Sequence, residues 1–177
     1  MRTLDRLRWR PRLARPRPRL RRPRPVPALI VAILLTAGLA GLAWHGERGA
    51  ARTDAAVRQA LATAPAAAKA IFSYDHRTFD DSVANGRTFV TGPFADEYAQ
   101  TTAALKQTAV QQQAVVLAEV SSTGVVTASA HRVELLVYLN QYRRNVNTAG
   151  EKVDQNRVVL TLVEVDDEWK VSAAVAV

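Results

Sequence analysis

The stretch that decides the fold is residues 156–175, which read NRVVLTLVEVDDEWKVSAAV. Two β-rich runs, Asn156–Val165 and Glu168–Val175, flank the pair Asp166-Asp167. A short acidic pair between two apolar runs is typical of a tight turn between antiparallel strands. The sequence therefore predicts a β-hairpin here.

The residues before this hairpin continue the strand pattern. A long β-rich run covers Arg132–Arg143, and the polar segment Asn145–Lys152 is predicted to be a loop. Further upstream, Ala114–Val120 and Val125–Ala130 flank Ser121–Gly124, which we interpret as a hairpin loop because it contains glycine. Residues 111–177 are thus predicted to form an antiparallel sheet of four to five strands.

The preceding residues, 46–110, have a helical period. The 3,4-type spacing of Val57, Leu61, Ala64, Ala68 and Ile71 predicts an amphipathic helix, which Pro65 should kink or split. Helices followed by a meander of strands indicate an α+β fold with about three helices on one face of the sheet.

Two local signals predict where the later helices begin. Thr78 is followed three residues later by Asp81, the form of a capping box that opens a second helix. Gly92-Pro93 breaks the chain, and Pro93 is placed to start a third helix, with Phe94, Tyr98, Thr102 and Leu105 on one face.

The first 45 residues predict a membrane anchor. Residues 1–25 carry a net charge of +10 and alternate arginine with proline, which predicts a disordered arm. Residues 28–44, ALIVAILLTAGLAGLAW, contain no charged side chain. We therefore predict a transmembrane helix at residues 26–45, in preference to a cleaved signal peptide. The positive-inside rule places the arm in the cytoplasm and residues 46–177 outside the cell membrane.

Composition excludes several classes of function. The chain has no cysteine, so disulfides and thiol chemistry are absent. Residues 26–177 carry a net charge of −2, and this distribution argues against nucleic acid as a partner. No phosphate loop, zinc-helix motif or nucleophile elbow occurs, so no cofactor is predicted.

The polar cluster SYDHRTFDD, residues 73–81, has three interpretations. As an enzyme site, Asp75 or Asp80 would be the base, with Tyr74, His76 or Tyr98 as partner. As a metal site, His76 and Asp80 would be joined by Asp81. As a structural corner, Asp75 would turn the chain, and Thr78 with Asp81 would start a helix. We favour the corner, and we predict no catalytic, cofactor-binding or metal-binding residue.

Other residues receive structural interpretations as well. His131 is expected at a solvated strand edge and Trp169 in the core, while Asp154–Arg157 fit either a polar binding rim or the start of a strand. Whether the interior is open or filled is not decided by the sequence; its candidate fillers are Phe72, Phe79, Phe89, Phe94, Leu117 and Leu136.

Several motifs together resemble the Mce-associated membrane proteins. They are Ser73-Tyr74-Asp75, Thr91-Gly92-Pro93-Phe94 with Tyr98, Val153–Arg157, and a closing Asp-x-x-Trp-x-Val-Ser, all within residues 28–177. Where that family usually has glycine before a basic residue in the last turn, this chain has Asp167-Glu168. The resemblance implies a cone of the nuclear transport factor 2 type, in which helices are wrapped by a curved antiparallel sheet.

The resemblance also implies a function. It is that of a non-catalytic accessory or scaffold subunit, anchored in the cell membrane beside Mce-type transporters that import lipids or sterols. Two alternatives stay open: a module that binds a lipid or steroid, and a cone-fold isomerase or dehydratase. Self-association also stays open.

Overall fold

The structure is a computed structural model that describes the backbone of residues 25–177, with side chains at Thr36 and from residue 49 onward. By its contacts the chain divides into residues 1–42 and residues 43–177. The predicted arm, apart from the backbone of Pro25, and the side chains of the predicted span, except Thr36, lie outside the described residues. Within the described part, no helix is both long and apolar enough to cross a membrane. The anchor stays a prediction.

The described elements form an α+β fold, as predicted. The helices are α1 (Pro25–Phe72), α2 (Phe79–Arg87) and α3 (Gly92–Gln111), and a single 3-10 turn covers His76–Thr78. The strands are β1 (Tyr74–Asp75), β2 (Val115–Ala128), β3 (Arg132–Arg144), β4 (Lys152–Val165) and β5 (Glu168–Ala176). They form one antiparallel sheet in the order β1-β2-β3-β4-β5, so each strand pairs with the next one in the chain.

The core lies between the inner face of this sheet and the helices. Alternate residues of β3, from Val133 to Leu139, are almost fully buried, as are Leu160 and Leu162 of β4. The alanine-rich stripe of α1, which includes Ala60, Ala64 and Ala68, belongs to the same core. Small side chains let a helix backbone lie close to the strands, whose branched side chains fill the remaining space.

The predicted place of Trp169 in the core is confirmed. It is 7% exposed, and its indole Nε1–H donates to Oε1 of Gln59 at 2.7 Å. Because Gln59 is on α1 and Trp169 is on β5, this bond joins the helix layer to the sheet, and it satisfies the polar end of a buried aromatic ring.

The hairpin predicted at Ser121–Gly124 is wrong. These residues lie inside the continuous strand β2, where Ser122, Thr123 and Gly124 pair with residues of β3. Register shifts after Val120 and Val125 each absorb an extra residue as a bulge. The turn-like composition is therefore overridden by pairing with a long neighbouring strand, and the chain reverses at residues 129–131 instead.

Three smaller predictions also need correction. α1 continues through Pro65, so the predicted split does not occur, while the alternative of a kink at Pro65 stays a prediction. α2 begins after Thr78 as predicted, but the Thr78 side chain makes no capping bond. β4 begins at Lys152, four residues before the predicted start, because its polar first half pairs with β3.

Other boundaries are confirmed. Pro93 lies in the first turn of α3. The Asp166-Asp167 turn joins β4 to β5, and both of its residues have positive φ, 51° and 63°. Both therefore occupy the left-handed region, as the central residues of a two-residue hairpin turn do.

Candidate functional site: an apolar pocket beside a polar corner

The polar cluster at residues 73–81 forms a structural corner between α1 and α2. Asp75 Oδ1 accepts a hydrogen bond from the backbone N–H of Arg77 at 2.9 Å and another from its Nε at 3.1 Å, and Oδ2 accepts from Nη2 at 2.8 Å. These bonds hold the pKa of the Asp75 carboxyl below its ordinary value. The carboxylate is thus committed to the turn, as a capping residue is.

Of the neighbouring polar side chains, Asp80 is engaged in an ion pair, whereas His76 is not. Both carboxylate oxygens of Asp80 accept from Lys106 Nζ, at 2.8 and 2.7 Å, which ties α2 to α3. His76 Nδ1 is buried without a hydrogen-bond partner and lies 3.5 Å from Asp75 Oδ1, too far for a strong bond. In the part of the chain with described side chains, no three His, Asp or Glu side chains are grouped as metal ligands.

Beside this corner lies an apolar pocket of about 280 Å³ between the helices and the inner face of the sheet. We call it the helix–sheet pocket. Its lining residues are Ile71, Phe72, Ser73, Tyr74, Phe79, Val83, Phe94, Glu97, Tyr98, Thr101, Thr102, Leu105, Gln141 and Ala174. The interior is therefore partly open, and three of the predicted fillers, Phe72, Phe79 and Phe94, line it without closing it.

Two other predicted fillers are not in the interior. Leu117 is 39% exposed, and Leu136 alternates with the buried pair Leu135 and Val137, so both lie on the outer face of the sheet. Alternation along a strand reverses the face with each residue, so a one-residue difference in register decides between core and surface. Phe89 packs against the core, although it does not line the pocket.

The structure separates the residues of the proposed enzyme site. Tyr74 and Tyr98 line the helix–sheet pocket, whereas Asp75, His76 and Asp80 do not. Burial raises the pKa of both tyrosines, so their hydroxyls stay protonated at neutral pH. The candidate bases Asp75 and Asp80 therefore do not line the pocket, because their carboxylates pair with Arg77 and Lys106.

The predicted polar rim lies on the sheet next to the pocket. Asn156 Nδ2 donates to Gln141 Oε1 at 2.7 Å, and Asp154 forms an ion pair with Arg143. These pairs extend the inner face of β3 and β4 beyond the apolar core, since Asn156 lies opposite the buried Leu139. These residues are therefore part of a strand, which confirms that interpretation, and they form a polar border whose role in binding stays a prediction. His131, at the opposite end of β3, is exposed and lies 2.7 Å from Glu164 Oε2.

The outer face of the sheet carries two groups of exposed or half-buried apolar residues, separated by a polar row of Glu119, Asn140 and Gln155, and we call the two groups together the outer patch. Its residues are Leu117, Leu136, Tyr138, Tyr142, Val153, Val159 and Val175. Leu117, Tyr142 and Val153 lie opposite one another on three adjacent strands, and so do Leu136, Val159 and Val175. The length and β-branched composition of β3 and β4 already predict that the outer face or edge of the sheet can accept another chain, and the structure adds which residues of that face are apolar.

The fold defines the class of domain. An IcmL-like type IV secretion system protein from Legionella pneumophila has a TM-score of 0.57 at 14% identity, over 68% of this chain and 91% of its own. CagV, a VirB8 homolog of the type IV secretion system of Helicobacter pylori, has a TM-score of 0.55 at 10% identity, over 67% and 96%. At these identities the likeness establishes the fold alone.

Sequence comparison establishes the family. Outer membrane protein Rv1973 of Mycobacterium tuberculosis is 31% identical over 150 residues, which is 83% of this chain and 90% of that protein. The chain belongs to the same family as this mycobacterial protein. Uncharacterized protein Rv1362c of Mycobacterium tuberculosis is 27% identical over 151 residues, 83% of this chain and 69% of that protein. No family model matches the sequence. Membership of the Mce-associated proteins stays a prediction.

Proposed function

We propose that this chain is a non-catalytic, membrane-anchored accessory subunit of an envelope complex, with residues 46–177 on the outer side of the cell membrane. The observation that carries the proposal is the contrast between the candidate catalytic residues and the outer face of the sheet. The predicted bases Asp75 and Asp80 are used in a turn and an ion pair, while the apolar residues of the outer patch are left exposed or half-buried. A surface of this kind is typical of a protein interaction site.

Two comparisons support the same class of function. A relative in the same family has the name of an outer membrane protein. Two proteins with the same fold are components of type IV secretion systems. Both point to the envelope as the place of action, and the resemblance of the sequence motifs adds Mce-type transporter subunits as the proposed partners.

The outer patch is the proposed docking surface. It combines two aromatic residues, Tyr138 and Tyr142, with aliphatic neighbours, and tyrosine is enriched at the centres of interfaces. A shared membrane would raise the effective concentration of a co-anchored partner, so a modest patch suffices for stable association.

Site-specific crosslinking tests this docking surface. A photoreactive amino acid replaces Tyr138 of the outer patch in the full-length protein in cells, and the matched control carries it at Val110, an exposed residue of α3. We expect Mce-type transporter subunits to be recovered from the Tyr138 position and not from Val110. Equal recovery from both positions, or recovery of no envelope protein from Tyr138, would contradict the proposal.

The proposed topology has its own test. Because the chain has no cysteine, a single introduced cysteine reports on one position without background. In intact cells, a membrane-impermeant maleimide should label Thr148→Cys, in the loop between β3 and β4, but not Arg6→Cys until the membrane is opened. If only Arg6→Cys is labelled in intact cells, the proposed orientation is wrong.

A further inference from the structure

The helix–sheet pocket has the dimensions of a site for one apolar chain. At about 30 Å³ for each water-sized group, a volume of about 280 Å³ holds roughly nine non-hydrogen atoms. Pockets for drug-sized ligands begin at about 300 Å³, so a lipid with two acyl chains would not fit inside. A single chain or the end of a rigid hydrocarbon skeleton does fit.

The inner walls of the pocket offer few free polar groups. Ser73 Oγ accepts from the backbone N–H of Ala118 at 2.9 Å, and Thr102 Oγ1 donates to the carbonyl oxygen of Tyr98 at 2.7 Å. Gln141 is held on both sides, since it accepts from Asn156 and lies 3.5 Å from the carbonyl oxygen of Phe72. The inner wall is therefore suited to hydrocarbon.

The mouth of the pocket is different, because it carries one charge. Glu97 is the only ionisable acid or base other than tyrosine among the lining residues. It is exposed on α3, and within the described residues its carboxylate has no hydrogen bond or ion pair. Thr101, one helical turn further along α3, places a hydroxyl beside it.

We propose that this pocket binds a single-chain amphiphile whose head group is a hydroxyl or an ammonium group, with the chain inside and the head at Glu97. A carboxylate accepts hydrogen bonds from both head groups and attracts the ammonium, whereas it repels a carboxylate or phosphate head. The site is separate from the outer patch, so this proposal goes beyond the proposed docking function, and each can fail alone.

The test uses the full-length chain in nanodiscs and three photoreactive seven-carbon alkyl probes, which carry a hydroxyl, an amine or a carboxylate. The sites of labelling are mapped by mass spectrometry. We expect the hydroxyl and amine probes to label the pocket-facing segments of α2 and α3 up to about fivefold more than the carboxylate probe, the upper end of the ratio expected of one exposed charge.

Two pairs of variants separate binding in the pocket from partitioning into the nanodisc. Val83→Trp fills the pocket and should abolish labelling there. Val110→Trp, on the exposed side of α3, should not abolish it. If Val83→Trp does not fold, Leu105→Trp takes its place. Glu97→Lys should reverse the preference toward the carboxylate probe, whereas Asp96→Lys, next to it but outside the lining, should leave it unchanged. Labelling that survives the filled pocket, or equal effects of the two lysine variants, would overturn the proposal.

Discussion

Gly86 is the position where one added methyl group tests the packing of the helices most directly. It is buried in α2, and a Cβ at this position would lie 2.1 Å from Tyr98 Oη, 2.7 Å from Tyr98 Cζ and 3.0 Å from the carbonyl oxygen of Ala70. The change Gly86→Ala therefore forces the Tyr98 ring to move. That ring is 7% exposed and packs beside Phe94, with ring centroids 6.5 Å apart, so it has little room.

The expected magnitude is a difference between two opposing effects. Alanine is favoured over glycine inside a helix by about 1 kcal/mol. Overpacking a well-filled core costs about 1–3 kcal/mol. We expect Gly86→Ala to lower the free energy of unfolding by about 1 kcal/mol, the middle of that difference. Gly49→Ala is the matched control, because Gly49 is also helical and has no atom within 4 Å of the added Cβ. It should raise the free energy of unfolding by up to about 1 kcal/mol.

Urea unfolding of the purified chain, followed by circular dichroism, measures both variants. The double variant Gly86→Ala with Tyr98→Ala completes the cycle, because removing the ring also removes the collision. In the Tyr98→Ala background, Gly86→Ala should become stabilising. If Gly86→Ala raises stability as much as Gly49→Ala does, the reasoning about Tyr98 is refuted.

Two further predictions concern single contacts. Trp169→Phe removes the hydrogen bond to Gln59 and should lower the free energy of unfolding by about 1 kcal/mol, measured by urea unfolding. If Trp169→Phe lowers stability equally in a Gln59→Ala background, the hydrogen bond contributes nothing. Asp75→Ala should cost about 1 kcal/mol at neutral pH through the lost cap. Because the pKa of Asp75 is lowered in the folded state, its contribution is complete above the ordinary pKa of an aspartate and is lost as the pH falls through the lowered pKa. The stability difference between Asp75→Ala and the parent should therefore vanish in strong acid, and a difference that persists there would contradict the role of the charge.

The sequence predicts the elements whose signals are local. The run at Arg132–Arg143 is long and β-rich, and Asp166-Asp167 lies between two apolar runs, so both predictions are confirmed, with β3 ending one residue later at Arg144. The length of β2 is not predicted, because Ser121–Gly124 has the composition of a turn and only its pairing with β3 makes it a strand. Long-range pairing of this kind outweighs local preference.

The candidate site was predicted only in part. The corner role of Asp75 follows from the side-chain chemistry of turns, and the structure confirms it. The helix–sheet pocket depends instead on how the aromatic residues of α2 and α3 pack, which no spacing in the sequence specifies. The sequence does not indicate a role for Glu97, because exposed acidic residues are common on helices. Its place at the mouth of the pocket is what distinguishes it.

The strand order has a consequence for how the domain folds. The pairs β2–β3, β3–β4 and β4–β5 each join strands that are consecutive in the chain. The pair β1–β2 is the exception in distance, because α2 and α3 lie between its two strands. Contacts between segments that are close in sequence form quickly, because little chain entropy is lost in closing each loop. The sheet can therefore grow one strand at a time in the order of synthesis. Its final strand brings Trp169 to α1, so the helices gain their last long-range tie only when the whole meander is in place.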